Sequence, residues 1–322
     1  MKKYDVSAVC NALVDVLYQI SQEQLDELKI SKGMMTLADA ETQKKLLGKL
    51  GAPDRCELGG SAMNAIRGLA SLGSSTVFAG MVGRDDYGKT IHKRMEELNI
   101  KNNLGECDDA TGTCIVLVTP DGERTMHTCL GASRLYTTAN IPNEITDSKV
   151  FHFCGYQWDT DEQKSAIKKA IALAKENNTT TSFDVADPFV VQAHREDFKA
   201  LIKDGADIVF ANEEEAKLLY NLSPEDTAAC IAETGATAVI KLGSKGAIIQ
   251  KGSQKIKIDP VPTDVVDTTA AGDMFAAGFL WGFTQDRPLD ECGRAAATLA
   301  SDTIRQLGAS LSSEVISTLK GS

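Results

Sequence analysis

The residues best placed to do chemistry lie in VVDTTAAGDMFAAGFL, residues 265–280. An apolar VV pair leads into small residues, and a helical stretch begins with Asp273 in its first turn. Small side chains let a backbone approach a ligand, and the N–H groups at a helix start have no partners within the helix. The amides of Ala270, Ala271, Gly272 and Asp273 could therefore form an anion hole favoured by the helix dipole. A carboxylate is out of place in a site that only binds phosphate. It fits if Asp273 takes the proton from a hydroxyl attacking a phosphoryl group. A plain Asp near a helix cap is the competing reading.

Three further segments carry weaker signals. In ELGGSAMNAIRGLASLG (57–73), Gly59 and Gly60 permit close backbone approach. Ser61 and Asn64 sit one helical turn apart, able to bind a polyhydroxylated ligand. In ADIVFANEEEAKLL (206–219), Asn212 and Glu215 could order a hydrated Mg²⁺ or could simply form a capping box. In AVIKLGSKGA (238–247), Gly243 and Gly246 bound a turn that could lie against a nucleotide or be an ordinary β-turn. No P-loop or dinucleotide fingerprint occurs. The four histidines lack metal-ligand spacing, and Asp184 and Asp187 read as a strand end beside the site rather than a glycosidase pair.

The elements that must position these residues alternate. YDVSAVCNALVDV reads as an opening strand, residues 60–73 as a helix, SSTVFAGMVG as a strand and DDYGKTIHKRMEELN as a helix. The rhythm resumes after residue 148 and ends in two helical stretches, AAGDMFAAGFLWGF and LDECGRAAATLASDTIRQLG. It predicts an α/β fold: a doubly wound, mostly parallel sheet flanked by helices, with its ligand site at the carboxyl ends of the strands. Residues 14–39 and 111–132 break the rhythm as strands without intervening helices, the second a hairpin turning at PDGE. They predict a small discontinuous β-lid, which leaves 1–13, 40–110 and 133–322 to the core; extra edge strands of the main sheet are the alternative.

The 322 residues carry a net charge of −11 and are 43% hydrophobic and 25% charged. That balance argues against nucleic acid or an anionic membrane as a partner. Residues 1–16 have no signal-peptide core, and the eight scattered cysteines read as reduced thiols. The expectation is a cytoplasmic protein.

Taken together, CNALVDV, GGSAMN, VGRDDYG, TGTC with LVTPDGERTM, ANEEE, LGSKG and DTTAAGD resemble the ribokinase-like (PfkB-type) carbohydrate kinases, in particular their bacterial adenosine-kinase-type branch. The likeness runs from about residue 5 to about residue 310. It implies Mg²⁺-dependent transfer of the ATP γ-phosphoryl to a hydroxymethyl group, with Asp273 as base. Asn212 and Glu215 would serve the Mg²⁺–phosphate network through water. Thr269, Lys241, Gly243 and Gly246 would line the nucleotide site, with Arg124 reaching toward the phosphates. Asp15 would bind sugar hydroxyls, aided by Asn11, Gly60, Ser61 and Asn64. Leu13, Met34, Met126, Leu130, Tyr156 and Phe189 match a purine pocket, an apolar lining that suits a purine face better than a bare hexose; lid-core packing is the alternative reading. The implied acceptor is a purine nucleoside, adenosine first, with a monosaccharide such as ribose or fructose as alternative and an impaired nucleoside-binding protein as the rival outside catalysis. The resemblance also allows a monovalent cation such as K⁺, and either a monomer or a homodimer. Three positions depart from the family pattern: Cys10 and Ala270 stand where glycine is usual, and Lys241 where threonine is common. For Ala270 the expectation is a negative φ, which tolerates the methyl; a positive φ would store strain of ~1–2 kcal/mol and make a glycine variant much faster.

Overall fold

The computed structural model describes residues 2–33 and 35–321, so Met34 lies outside the described residues. The chain opens with β1 (Tyr4–Val9), β2 (Leu13–Gln19), α1 (Gln22–Leu28), β3 (Met35–Leu37), α2 (Ala40–Leu50), β4 (Arg55–Gly59) and α3 (Ser61–Ser71). It continues through β5 (Thr76–Gly83), α4 (Asp86–Glu97), β6 (Lys101–Cys107), β7 (Gly112–Val118) and β8 (Arg124–Cys129). The alternation then resumes with β9 (Ser148–Cys154), α5 (Asp161–Glu176), β10 (Thr180–Asp184), α6 (Pro188–Asp204), β11 (Ile208–Asn212), α7 (Glu213–Tyr220) and α8 (Pro224–Glu233). Last come β12 (Thr237–Lys241), β13 (Ala247–Lys251), β14 (Gln254–Ile258), α9 (Ala271–Phe283), α10 (Leu289–Thr303) and α11 (Ser313–Gly321).

Among the described residues, nine strands form the large sheet in the order β14-β13-β12-β11-β10-β9-β1-β5-β6. Pairing is parallel from β6 across to β12 and antiparallel only through β13 and β14. The central strands are buried on both faces, as a sheet covered by helices on either side requires. The expected doubly wound α/β fold is present, and among the described residues no helix is long and apolar enough to cross a membrane.

The second sheet, among the described residues, has five strands in the order β3-β8-β7-β2-β4. Two sequence expectations are corrected here. YDVSAVCNALVDV is not one strand: the chain leaves the large sheet after Val9 and enters the small one at Leu13. Residues 55–59, assigned to the core segment 40–110, pair antiparallel with β2 as β4, so the small sheet draws on three stretches of chain. α2 also belongs to its surroundings, since Gln43 donates to the carbonyls of Thr113 and His127. The chain ends in a third helix, α11, beyond the two expected.

Strand alternation gives the small sheet two faces. Val14, Val16, Ile115 and Leu117 are buried in a core under α1 and α2, while Asp15, Cys114, Val116, Arg124, Met126 and Thr128 face a cavity. The sheet is clasped to the large one through Asp85, the N-cap of α4, which accepts from Gly88 N at 2.8 Å, from Thr111 N at 2.8 Å and from Thr111 Oγ1 at 2.6 Å. The VGRDDYG and TGTC segments thus hold each other where the chain returns to the small sheet.

α9 is buried nearly all round, and glycines set how closely it packs. A Cβ on Gly278 would lie 2.6 Å from Ala295 O of α10, and one on Gly68 of α3 would lie 2.8 Å from Ala277 Cβ. This close approach brings the N-termini of α3 and α9 together and sets the geometry of the site.

Candidate functional site

Where α3 and α9 start side by side, Asp273 is gripped from α3. Ser61 Oγ donates to its Oδ1 at 2.7 Å and Asn64 Nδ2 to its Oδ2 at 2.9 Å. Burial pushes the Asp273 carboxyl up to about 6 even against those two bonds, and Asp184 adds to the rise. Among the described residues, Ala270, Gly272 and Asp273 donate their backbone N–H to no protein acceptor, and only Ala271 N reaches a carbonyl, Thr268 O at 3.3 Å. Among the described residues no side chain caps this helix, so its first turn is open to an anion.

Ala270 is the N-cap, with φ 55° and ψ 11°. The expected negative φ is therefore wrong. The loop before α9 is fastened by Asp267, which accepts from Thr269 N at 2.9 Å, from Thr269 Oγ1 and from Gly308 N at 2.8 Å. From that anchored loop the chain enters the helix by a left-handed residue.

Asp15 projects from β2, opposite Glu57 on β4 and Cys114 on β7. Its Oδ1 would lie 2.1 Å from a Cβ on Gly59, so only glycine there leaves room for the carboxylate. Burial raises Asp15 to about 7; Arg124 and Arg67 pull it down, while Glu57 and Asp273 push it up. Asn11 follows the break after β1. Its Oδ1 accepts from Gln157 Nε2 at 2.8 Å and Gln163 Nε2 at 3.0 Å, so its NH₂ group is what it offers to the cavity. Gly60, at φ 102°, sits so close to Asn11 that a Cβ would lie 2.3 Å from Asn11 O.

Asn11, Leu13, Asp15, Gly60, Ser61, Asn64, Arg124, Met126, Leu130, Tyr156, Phe189, Thr269, Ala270 and Asp273 all line one cavity of about 330 Å³. Arg124 Nε lies 3.4 Å from Asp267 Oδ1, an ion pair from the small sheet to the α9 loop. The sequence expectation missed the cavity residues Cys10, Met35, Cys114, Thr128, Asp159 and His194. Alternation along β7 and β8 could have supplied Cys114 and Thr128, since they share a face with Asp15 and Met126. Nothing in the sequence pattern marks His194.

The remaining candidates lie off that cavity wall. Lys241, at the end of β12, exposes 14% of its side chain and is ion-paired to Asp184 at 3.0 Å. Its Nζ is 3.1 Å from where a Gly272 Cβ would stand, which places the ammonium against the first turn of α9. Burial alone would lower the Lys241 pKa, but Asp184 and Glu215 outweigh it and hold it raised. Asn212 and Glu215 form a complete capping box: Asn212 N donates to Glu215 Oε2 at 2.7 Å, Asn212 Nδ2 to Oε1 at 2.6 Å, and Glu215 N to Asn212 Oδ1 at 2.8 Å. Burial raises the Glu215 carboxyl. Gly243 and Gly246 bound a 3₁₀ turn into β13, and a Cβ on Gly246 would lie 1.9 Å from Ile258 O.

Two carboxylates in a cavity roofed by a second sheet, beside an uncapped helix start, are the arrangement that the sequence resemblance implies. Residues 30–316 match the family described as pfkB family carbohydrate kinase. The chain belongs to that family. Among solved structures, this PfkB-type kinase is similar to a probable sugar kinase protein of Rhizobium etli CFN 42, at 33% identity and TM-score 0.93 over 100% of this chain and 99% of that one. It is also similar to adenosine kinase of Sinorhizobium meliloti, at 32% identity and TM-score 0.92 over 99% of both chains. Adenosine kinase of Saccharomyces cerevisiae is 26% identical over 332 aligned positions, 95% of this chain and 96% of the relative. The fold is thus the ribokinase-like fold of sugar and adenosine kinases.

Proposed function

We propose that this PfkB-type kinase transfers the γ-phosphoryl of ATP to the 5′-hydroxymethyl of a purine nucleoside, adenosine first. The observation that carries this reading is the single cavity holding Asp273 and Asp15 together with Leu13, Met126, Leu130, Tyr156 and Phe189. Carboxylates suit ribose hydroxyls, and an apolar, partly aromatic wall suits a base. Similarity to the Sinorhizobium meliloti adenosine kinase supports it.

Asp273 acts as general base. With its carboxyl near 6 it is ionised at neutral pH yet basic enough to take a hydroxyl proton. Ser61 and Asn64 orient it. The open amides of Ala270, Gly272 and Asp273 receive the charge that builds on the phosphoryl oxygens, with the Lys241 ammonium beneath them. Asp15 accepts ribose hydroxyls, and Asn11 donates to them. Arg124 closes from the small sheet toward the phosphates, while Thr269 and the turn from Gly243 to Gly246 flank the nucleotide.

Among the described residues no group of three or more His, Cys, Asp or Glu gathers to hold a metal alone. Mg²⁺ does not need one: it takes one or two carboxylates with waters and substrate phosphates. Glu215 and Asn212 fit that use through water, since each Glu215 oxygen keeps a lone pair beyond its bond to Asn212. The ion would neutralise phosphate charge.

A sugar kinase is the second reading, favoured by the similarity to the Rhizobium etli protein. Assaying the pure chain with ATP and Mg²⁺ against adenosine, other nucleosides, ribose and fructose separates the two. Adenosine should give the highest kcat/KM; a monosaccharide ahead of every nucleoside would overturn the proposal.

A further inference from the structure

Among the polar side chains on the cavity wall that the scheme above leaves unused, His194 lacks any hydrogen-bond partner for its ring among the described residues. His194 lines the cavity from α6, with Phe189, Val190 and Ala193 of the same helix. Its backbone, at φ −130° and ψ 26°, departs from the helix at that residue. The half-buried ring leans on Phe198, with centroids 6.2 Å apart. Among the described residues neither ring nitrogen has a hydrogen-bond partner in the protein, whereas His92 and His152 engage Asn102 and Ser182.

Burial lowers the His194 pKa, Lys164 lowers it further, and Asp197 and Asp159 oppose them. At neutral pH the ring is uncharged, with one N–H donor and one acceptor nitrogen. His194 shares its stretch of cavity wall with Phe189, Val190 and Ala193 of α6, apart from the α3 and α9 starts that carry Ser61, Asn64 and Asp273. An acceptor whose hydroxymethyl lies at Asp273 would lay its base against that apolar α6 wall.

Resting on the nucleoside reading, we propose that His194 is a specificity-determining residue that hydrogen-bonds the edge of the acceptor's purine while Phe189 covers its face. A half-buried imidazole without protein partners is satisfied when such a base is bound, and a bare monosaccharide does not reach it.

The test compares the native chain with His194→Phe, which keeps a ring against Phe198 but cannot hydrogen-bond, and with His194→Gln, which keeps a donor and an acceptor. His194→Phe should raise the adenosine KM roughly three- to tenfold, the scale of one neutral hydrogen bond. It should leave kcat, the ATP KM and the inhibition constant of methyl β-D-ribofuranoside, a competitor without a base, unchanged. His194→Gln should recover part of the loss. An unchanged adenosine KM, or an equal loss for the base-less competitor, overturns the role of His194 while leaving the nucleoside reading standing. A native chain that phosphorylates no nucleoside overturns that reading, and the role of His194 with it.

Discussion

Two helices, α7 and α9, start beside Lys241 and treat their first-turn amides in opposite ways. α7 closes its own start: Asn212 and Glu215 satisfy each other's backbone and side chains in a capping box. α9 begins from left-handed Ala270 and, among the described residues, has no side-chain cap and leaves three amides without protein acceptors. A capping box is worth about 1 kcal/mol of helix stability, so an uncapped start forgoes that amount. A ligand that supplies the missing acceptors recovers it, and phosphate does so best at the positive end of a helix. The carboxylates follow the same division. Glu215 serves its helix, while Asp273 is held by α3 and lines the cavity.

The largest expected effect tests α9. Asp273→Asn should lower kcat by at least ~10²-fold while adenosine and ATP still bind. The native acidic limb of kcat/KM should reflect the raised carboxyls. Both Asp273, near 6, and Asp15, near 7, must be ionised, so activity falls as pH drops through 7 and 6. An acidic limb near pH 4 would remove the burial argument. Glu215→Gln is the counterpart on α7. Glutamine still serves a capping box, so stability should hold and kcat should change less than about tenfold, with the loss appearing as a higher Mg²⁺ requirement. A kcat loss matching that of Asp273→Asn would abolish the distinction between the two helices.

Asp15 sharpens the contrast from the acceptor side. Asp15→Asn should raise the adenosine KM by a factor equivalent to roughly 2–4 kcal/mol and leave the ATP KM unaltered. The same change should raise the melting temperature at pH 8. A carboxyl whose folded pKa is raised destabilises the fold once pH exceeds its unfolded value, because the folded state must hold an ionised group in a poor environment. That gain should shrink as pH falls from 8 to 5, where the folded Asp15 is protonated. Thermal melts at both pH values decide it, and a variant less stable at pH 8 would reverse the sign.

The sequence made the chemistry of α9 legible because small residues and a carboxylate at a helix start are a local pattern. The small sheet was half legible: the PDGE turn marks its hairpin, while Asp15, Arg124 and Met126 came from the family resemblance and share a face only through the pairing of β2, β7 and β8. What escaped depends on distant partners. The apolar run YDVSAVCNALVDV reads as one strand, and the boundary expected between residues 13 and 14 falls just past the actual break between Val9 and Leu13, because both strands are buried and nothing local marks it. β4 carries Arg55, Cys56 and Glu57, and only its pairing with β2 assigns it to the small sheet. Lys241 reads as a strand-end lysine until Asp184, 57 positions earlier, is seen beside it. His194 escaped because a break in a helix is a tertiary feature.

The smallest effect concerns Ala270, where the sequence expectation and the structure part. A non-glycine residue at φ 55° costs about 1 kcal/mol relative to glycine. Ala270→Gly should therefore stabilise the protein by about 1 kcal/mol, on the order of 2 °C in melting temperature. The kinetic consequence is a separate question. The strained conformation is already the one that leaves the Gly272 and Asp273 amides open, and the Asp267 bonds to Thr269 and Gly308 hold the loop in place. Strain present equally in the ground state and the transition state cancels from the barrier. The glycine variant should thus melt higher while its single-turnover rate at saturating ATP stays within about tenfold of native, equivalent to ~1.4 kcal/mol. A much faster glycine variant would mean that the alanine methyl distorts the amides, and that α9 in this chain is not the ready anion site that its contrast with α7 implies.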